Sequence, residues 1–361
     1  MKKRNIKHSL FAFLLIALTV GCEEKDPLKN AEIIYVTEAI TEPTTWYEGN
    51  IYIVDQSGSI FVEALLTIEP NVIVKFLDRA NIHVREGGVI IAIGTSEKPI
   101  IFTSPYDDLH GGDNTGNGPT QPAPGDWRNI EFRSVSGSVL SFCQFYYGGG
   151  NGHYTIKVYD NSTIDINNCV FAHNTGGEFG SDYVGVVNMN LANSECAFTN
   201  NIFFDNIIPL SINAEINLDD SNMFSDPEHP EVGNLMNGIF TNTTLLENHN
   251  AYWAETEVPF VLADDFGLQI RSTASLTLAD NVVLKIIDDI DLTANPVNGI
   301  INSQGTGVYY TSFHDDSKKG DTNGNGSITS PAEGDWKGIV IETSPTTYAD
   351  WSNILYDEIH E

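Results

Sequence analysis

The sequence predicts a parallel β-helix, an all-β solenoid, and three observations predict it: a long internal duplication, a finer repeat inside it, and short strand-like runs throughout. The duplication has a period near 209 residues. Asn71-Val-Ile-Val-Lys-Phe76 matches Asn281-Val-Val-Leu-Lys-Ile286, and Thr103-Ser-Pro-Tyr-Asp-Asp108 matches Thr311-Ser-Phe-His-Asp-Asp316. Gly125-Asp-Trp-Arg-Asn-Ile130 matches Gly334-Asp-Trp-Lys-Gly-Ile339, and Trp46 corresponds to Trp253. One module used twice follows, the first over residues 46–252 and a partial second over 253–361.

The finer repeat is Cys-x-Phe. Cys143-Gln-Phe145, Cys169-Val-Phe171 and Cys196-Ala-Phe198 share it, and Asn222-Met-Phe224 continues it without the Cys, with Phe spacings of 26, 27 and 26. That period is too short for a propeller blade and lacks the pattern of helical repeats. It suits one coil of three short strands, stacked about 4.8 Å from the next. Alternation along each strand then points Cys and Phe inward, and the Phe column buries the apolar area that joins coils. Asn174, Asn200, Asn201 and Asn206 follow as corner residues, because Asn tolerates left-handed backbone and its amide can bond neighbouring coils.

The strand runs open each module. Ile51–Val54, Ser59–Val62, Leu66–Ile68, Val72–Phe76, Ile82–Val84, Val89–Ile93 and Ile100–Phe102 are separated by Gly58, Pro70, Gly87, Gly88, Gly94 and Pro99. The stretches Leu66–Phe76, Gly87–Thr95 and Lys98–Ser104 resemble a repeat common in secreted right-handed β-helix proteins of the pectate-lyase-like type. The resemblance covers most of residues 46–361 and implies a right-handed coil. It speaks for fold rather than function, because that architecture carries lyases, hydrolases, adhesins and inert stalks.

Residues 1–21 read as a signal peptide. Lys2, Lys3, Arg4 and Lys7 precede an apolar run, Leu10–Val20, that is too short for a permanent span of about 20 residues. Gly21 before Cys22 resembles a bacterial lipobox, with Thr19 in place of the usual Leu, which implies lipidation at Cys22. An ordinary signal peptide with an incidental Cys is the alternative. Residues 22–45 then form an acidic linker, and Glu23, Glu24 and Asp26 resemble the tag that routes some lipoproteins to the outer face of the outer membrane. The net charge is −31, and removing the leader takes four cations and no acid, leaving about −35. Such a surface repels nucleic acid and polyuronates and attracts divalent cations. Cys143, Cys169 and Cys196 are expected as free, buried thiols, since stacked in-register neighbours point the same way and suit disulfide geometry poorly.

No phosphate loop, zinc motif, nucleophile elbow or dinucleotide fingerprint is present. The acid doublets, such as Asp219-Asp220 and Asp264-Asp265, point to opposite faces of a strand and so are not themselves catalytic pairs. One constellation stands out. Asp107-Asp108, Asp113 and Asn117-Gly118 share their spacing with Asp315-Asp316, Asp321 and Asn325-Gly326, and the second copy, with Asn323, fits the D-x-N-x-N-G core of calcium loops. Ala332 replaces the closing Glu of an EF-hand. Calcium is therefore expected on Asp107, Asp108, Asp113, Asn117, Asp315, Asp316, Asp321, Asn323 and Asn325, against the alternative of a solvated polar loop. Tyr146, Tyr147 and Tyr154 around Gly148–Gly152 are candidates for stacking on sugar.

The expected function is a non-catalytic, calcium-stabilised surface lipoprotein whose loops bind glycan or another surface protein. The alternative is an extracellular polysaccharide lyase or glycoside hydrolase, which requires basic or paired acidic residues converging on one sheet. Trp351, Ile354, Leu355, Tyr356 and Ile359 leave the last residues apolar, so an open end or a continuing chain is expected there.

Overall fold

The computed structural model describes residues 31–55, 58–116, 118–151, 154–179, 182–296 and 299–358. Cys22 with the leader, Asn117 and Ile359 lie outside the described residues. All the regular elements described are short strands, with no helix among them and so none long and apolar enough to cross a membrane. Nearly every strand pair is parallel; the antiparallel exceptions are the hairpin Gly177–Val184 and the pairing of Ile339–Ile341 with Thr347–Tyr348.

The sheets stack coil on coil. A seven-stranded sheet takes Ile33–Val36, Ile51–Val54, Ile73–Phe76, Ile100–Thr103, Cys143–Tyr146, Val170–Ala172 and Ile202–Phe204 in chain order. A ten-stranded sheet runs from Ser59–Val62 to Tyr309–Ser312, and a six-stranded sheet supplies the third side over the first part of the chain. Five- and three-stranded sheets accompany the second part. All-β with consecutively stacked parallel strands is what a parallel β-helix requires.

Alternation makes the interior. Ile164–Asn167 reads buried, exposed, buried, intermediate, and Cys143–Tyr146 follows the same two-residue rhythm. The inward rings of Phe102, Phe145, Phe171, Phe203 and Phe224 stack with centroids 4.7, 4.8, 4.8 and 5.5 Å apart. Burying one such ring contributes roughly 1.5–3 kcal/mol.

Phe198 is not in that column. The register places Phe203 on Phe171, while Cys196-Ala-Phe198 moves to the six-stranded sheet, where Ile164 N donates to Cys196 Sγ at 3.4 Å. The hairpin Gly177–Val184 lengthens this coil, so an even Cys-x-Phe spacing no longer marks equivalent positions. Cys143, Cys169 and Cys196 are all buried and free.

Asparagines tie the corners. Asn174 N and Nδ2 reach Asn206 Oδ1 at 3.0 and 3.2 Å, and Asn206 N and Nδ2 reach Asn234 Oδ1 at 3.2 and 2.8 Å. Asn201 bonds Asn222 in the same way, and Asn200 adopts φ 56°. Each amide thus satisfies buried backbone groups that a turn would otherwise leave bare.

The segments that match in sequence lie on different sheets. Ile51–Val54, Ile73–Phe76 and Ile100–Thr103 are successive members of the seven-stranded sheet; Phe260–Leu262, Val283–Ile286 and Tyr309–Ser312 are successive members of the ten-stranded one. Near the C-terminal end of the described chain, Trp351 and Ile354 pack against the core, and Leu355 O accepts from Trp336 Nε1 at 2.9 Å.

Candidate functional sites: two lysine-centred loops and a basic sheet face

The first acidic loop leaves Ile100–Thr103 and returns at Ile130–Arg133. It lies over the outer side of the seven-stranded sheet, where a Cβ on Gly111 would meet Ile51 Cδ1 at 2.9 Å and Ile73 Cδ1 at 3.2 Å. Beneath it Lys75 is wholly buried, flanked in register by Ile53 and Thr103. Its Nζ donates to the carbonyls of Asp107 (2.9 Å) and Gly112 (2.7 Å). Asp107 Oδ2 accepts from Thr103 Oγ1 at 2.6 Å and lies 2.6 Å from His110 Nδ1. Burial would raise the Asp107 carboxyl, but the bonds from His110 and Thr103 outweigh it and hold the group below its ordinary value. Asp113 accepts from the amides of Thr115, Gly116 and Gly118.

The second loop repeats this plan on its own sheet. Lys285, also wholly buried and set between Val261 and Thr311, donates to Gly320 O (2.7 Å) and Thr322 Oγ1 (2.8 Å). Thr311 Oγ1 donates to Asp315 Oδ2 at 2.7 Å, and Gly326 N donates to Asp321 Oδ2 at 2.6 Å. Asn323 and Asn325 both donate to Thr329 Oγ1. Burial brings the Lys285 ammonium down to about 8 despite the opposing pull of Asp316, Asp315 and Asp321. Ser104 to Asp126 and Ser312 to Asp335, each 2.6 Å, pin the two loop ends alike.

Among the described residues no group of three or more His, Cys, Asp or Glu side chains is arranged to hold a metal ion. Asp107, Asp113, Asp315 and Asp321 spend their oxygens on hydroxyls and amides. Asp108 Oδ1, Asp316 Oδ1 and Asn325 Oδ1 are buried without a partner among the described residues. The cation inside each acidic loop is a lysine. Its sequence signal is a Lys in the same place in two otherwise apolar strands, Ile-Val-Lys-Phe and Val-Leu-Lys-Ile.

The three tyrosines do not form one site. Tyr146 stacks on His110 (5.3 Å, 9°), and Tyr147 stacks on His173 (5.6 Å, 11°), so faces that a sugar would use already meet other rings. Burial first, then Asp107, pushes the Tyr146 hydroxyl up to about 12. Tyr154 bonds Glu131 of the ten-stranded sheet.

That sheet carries a site the sequence reading missed. Register aligns the outward residues Phe61, His83, Glu131, Lys157 and Asn188 in one column. Glu131, only 8% exposed, accepts from Tyr154 Oη and Tyr159 Oη, each at 3.1 Å, and lies 3.1 Å from His83 Nε2. Burial outweighs the pull of Glu131 and lowers the His83 pKa. Burial, then Glu131, raises both tyrosine hydroxyls, Tyr159 to about 12. Lys157 Nζ sits over Tyr154 (4.8 Å) and Tyr159 (4.7 Å), a pair of cation–π contacts. Arg85 lies over Phe61 and pairs with Glu63; Arg133 pairs with Asp160 at 2.6 Å. Three of the five arginines after residue 22, Arg85, Arg128 and Arg133, belong to this region.

Two hollows open along the column. One of about 120 Å³ is bounded by Phe61, His83, Arg85, Glu131, Arg133 and Tyr159. The other, about 240 Å³, lies among Lys157, Tyr159, Asp182, Asn188, Asn190, Leu191 and Asn242. Hollows of about 580 Å³ near Glu32–Tyr52 and about 400 Å³ among Glu63, Arg85, Glu86, Arg133 and Ser134 are larger, but Glu131 and its two tyrosines line neither. The column was hidden in sequence because its members are 22, 48, 26 and 31 residues apart and align only once the register is known.

No protein-family model matches the chain, and no curated protein or solved structure matches it.

Proposed function

We propose that the chain is a non-catalytic extracellular scaffold that binds a glycan on the outer face of its ten-stranded sheet. The observation that carries this is the Phe61–His83–Glu131–Lys157 column with Tyr154 and Tyr159 beside it. Aromatic edges, amides and charges set along a stiff stack are what an extended saccharide needs from a protein surface. The same network argues against catalysis. Both oxygens of Glu131 are occupied, and the neighbouring tyrosines hold their protons more tightly than usual. Hydrolases of this kind use two free carboxyls on either side of the bond they cut.

The proposal includes a right-handed coil, since right-handed crossovers dominate between parallel strands. It includes one module used twice with a period near 209 residues, supported by the matched Lys–loop, Thr–Asp, Ser–Asp and Trp contacts of the two copies. It also includes lipidation at Cys22 and an outer-membrane location. Mass spectrometry of the native protein tests the anchor: an acylated N-terminal Cys22 is expected, and a mature chain starting elsewhere without lipid removes it.

Two secondary readings have an observation each. Calcium as an added ligand of the acidic loops is supported by the bare oxygens of Asp108, Asp316 and Asn325. A lyase or hydrolase is supported by Lys157 and Arg128 standing near Tyr154 and Glu131. A glycan array with the full chain, followed by assay of the bound glycans for cleavage, separates the readings. Binding without cleavage is expected; cleavage selects the enzyme, and no binding removes the glycan function.

A further inference from the structure

The 240 Å³ hollow beside Lys157 has chemistry of its own. Two amide oxygens on its wall, Asn190 Oδ1 and Asn242 Oδ1, are buried and accept no hydrogen bond from the described residues. An unmet buried acceptor costs about 1–3 kcal/mol, so each favours a ligand that brings O–H or N–H donors. At one end stands Lys157, held between two tyrosine rings with no ion pair to a described carboxylate. Asp182 lines the same hollow but makes no ion pair with it. Arg128, whose buried Nε has no partner among the described residues, acts electrostatically on Tyr154 and His83 but does not line this hollow. By contrast Arg85, Arg133, Lys98 and Arg271 are each paired with an acid. An ammonium without an ion pair beside unfilled acceptors stands out in a chain of net charge −31.

We propose that this hollow takes an acidic saccharide, its carboxylate or sulfate meeting Lys157 while its hydroxyls donate to Asn190 and Asn242. This rests on reading the sheet as a glycan-binding face and adds the charge and position of the sugar. The chain's negative field opposes anionic ligands elsewhere on its surface. In this hollow the Lys157 ammonium, without an ion pair to any described carboxylate, offsets that field for an acidic glycan.

The test is titration calorimetry of the full chain with oligosaccharides of hyaluronan and alginate (carboxylate), dextran sulfate (sulfate), and neutral dextran, xylan and mannan. At least one acidic series should bind tenfold or more tightly than every neutral one, and the carboxylate and sulfate arms identify the group. Lys157→Gln should weaken that binding at least tenfold, whereas Lys157→Arg retains it. Asn190→Ala and Asn242→Ala should each weaken it severalfold, with melting curves checking that all variants fold. Equal or tighter binding of a neutral series overturns the acidic assignment while the glycan reading stands. Acidic binding unaffected by the Lys157 and Asn variants overturns the location. Absence of binding by every oligosaccharide overturns both this inference and the function beneath it.

Discussion

The loops over Lys75 and Lys285 share a plan and differ in detail. Each closes over a buried ammonium and has a Thr-to-Asp bond at its start. Yet Lys75 donates to two backbone carbonyls, whereas Lys285 donates to one carbonyl and one hydroxyl. Leu109 N and Ser317 N donate alike to Oδ1 of Asp107 and Asp315, but Asp107 is also braced by His110, whereas Asp315 is also braced by Ser317 Oγ. The loops also leave different sheets, so they do not stack into one acidic stripe. The lesson is that the acid spacing common to both copies frames a lysine, and local partners were free to change around it.

The largest expected effect comes from removing that cation. Lys75→Met and Lys285→Met each strip buried acceptors of their donor and nearby carboxylates of an opposite charge. Breaking a buried charged network from one side costs about 3–5 kcal/mol. Urea unfolding with an unchanged m-value should show this for both. A loss in one variant alone would break the equivalence of the loops.

A pH series sharpens the contrast. An ordinary Lys titrates near 10.5, whereas Lys285 in the fold is lowered to about 8. Between these values the unfolded chain binds the extra proton, so the Lys285 contribution to stability rises with pH. The limit is roughly 3 kcal/mol at about 1.4 kcal/mol per unit. Tyr ionisation enters near pH 10, so the difference between wild type and Lys285→Met from pH 7 to 9.5 is the measurement. A pH-independent difference would mean that Lys285 titrates normally.

Calcium separates two ways of satisfying the same loops. Binding to the native state at a hundredfold excess over Kd would stabilise it by about 2.7 kcal/mol. Thermal melts in millimolar calcium and in excess chelator should then have different midpoints. Identical midpoints leave the lysines, with His110 beside Asp107, as the internal partners of these acids.

Much of the scaffold was legible because alternation and Asn corners are local signals. Phe145 and Phe171 were readable as a stacked pair, and Asn174 and Asn206 as corner ties. Phe203 displaced Phe198 because a hairpin changed the coil length, which periodicity alone does not register. The roles of Lys75 and Glu131 were hidden for a different reason. Alternation puts each side chain outward, but what then covers or meets it comes from residues tens of positions away, namely the 104–129 loop for Lys75 and Tyr154 and Tyr159 for Glu131. The charge count was misleading locally: a strongly acidic chain still gathers cations on one sheet.

The smallest expected effects concern the threonines at the loop starts. Asp107 Oδ2 meets Thr103 and His110, whereas Asp315 Oδ2 accepts from Thr311, with Ser317 on Oδ1. Thr103→Val therefore leaves that buried oxygen with His110 still beside it, and the cost should be that of an ordinary hydrogen bond, about 0.5–1.5 kcal/mol. Thr311→Val leaves Oδ2 of a buried carboxylate without that donor, for which about 1–3 kcal/mol is expected. Adding His110→Ala to Thr103→Val should bring the first loop to the level of the second, with coupling between the two changes because they share one oxygen. Urea midpoints of the three variants measure this ordering. If Thr103→Val costs as much as Thr311→Val, His110 gives Asp107 no effective support, and the difference between the loops has no energetic weight at this point.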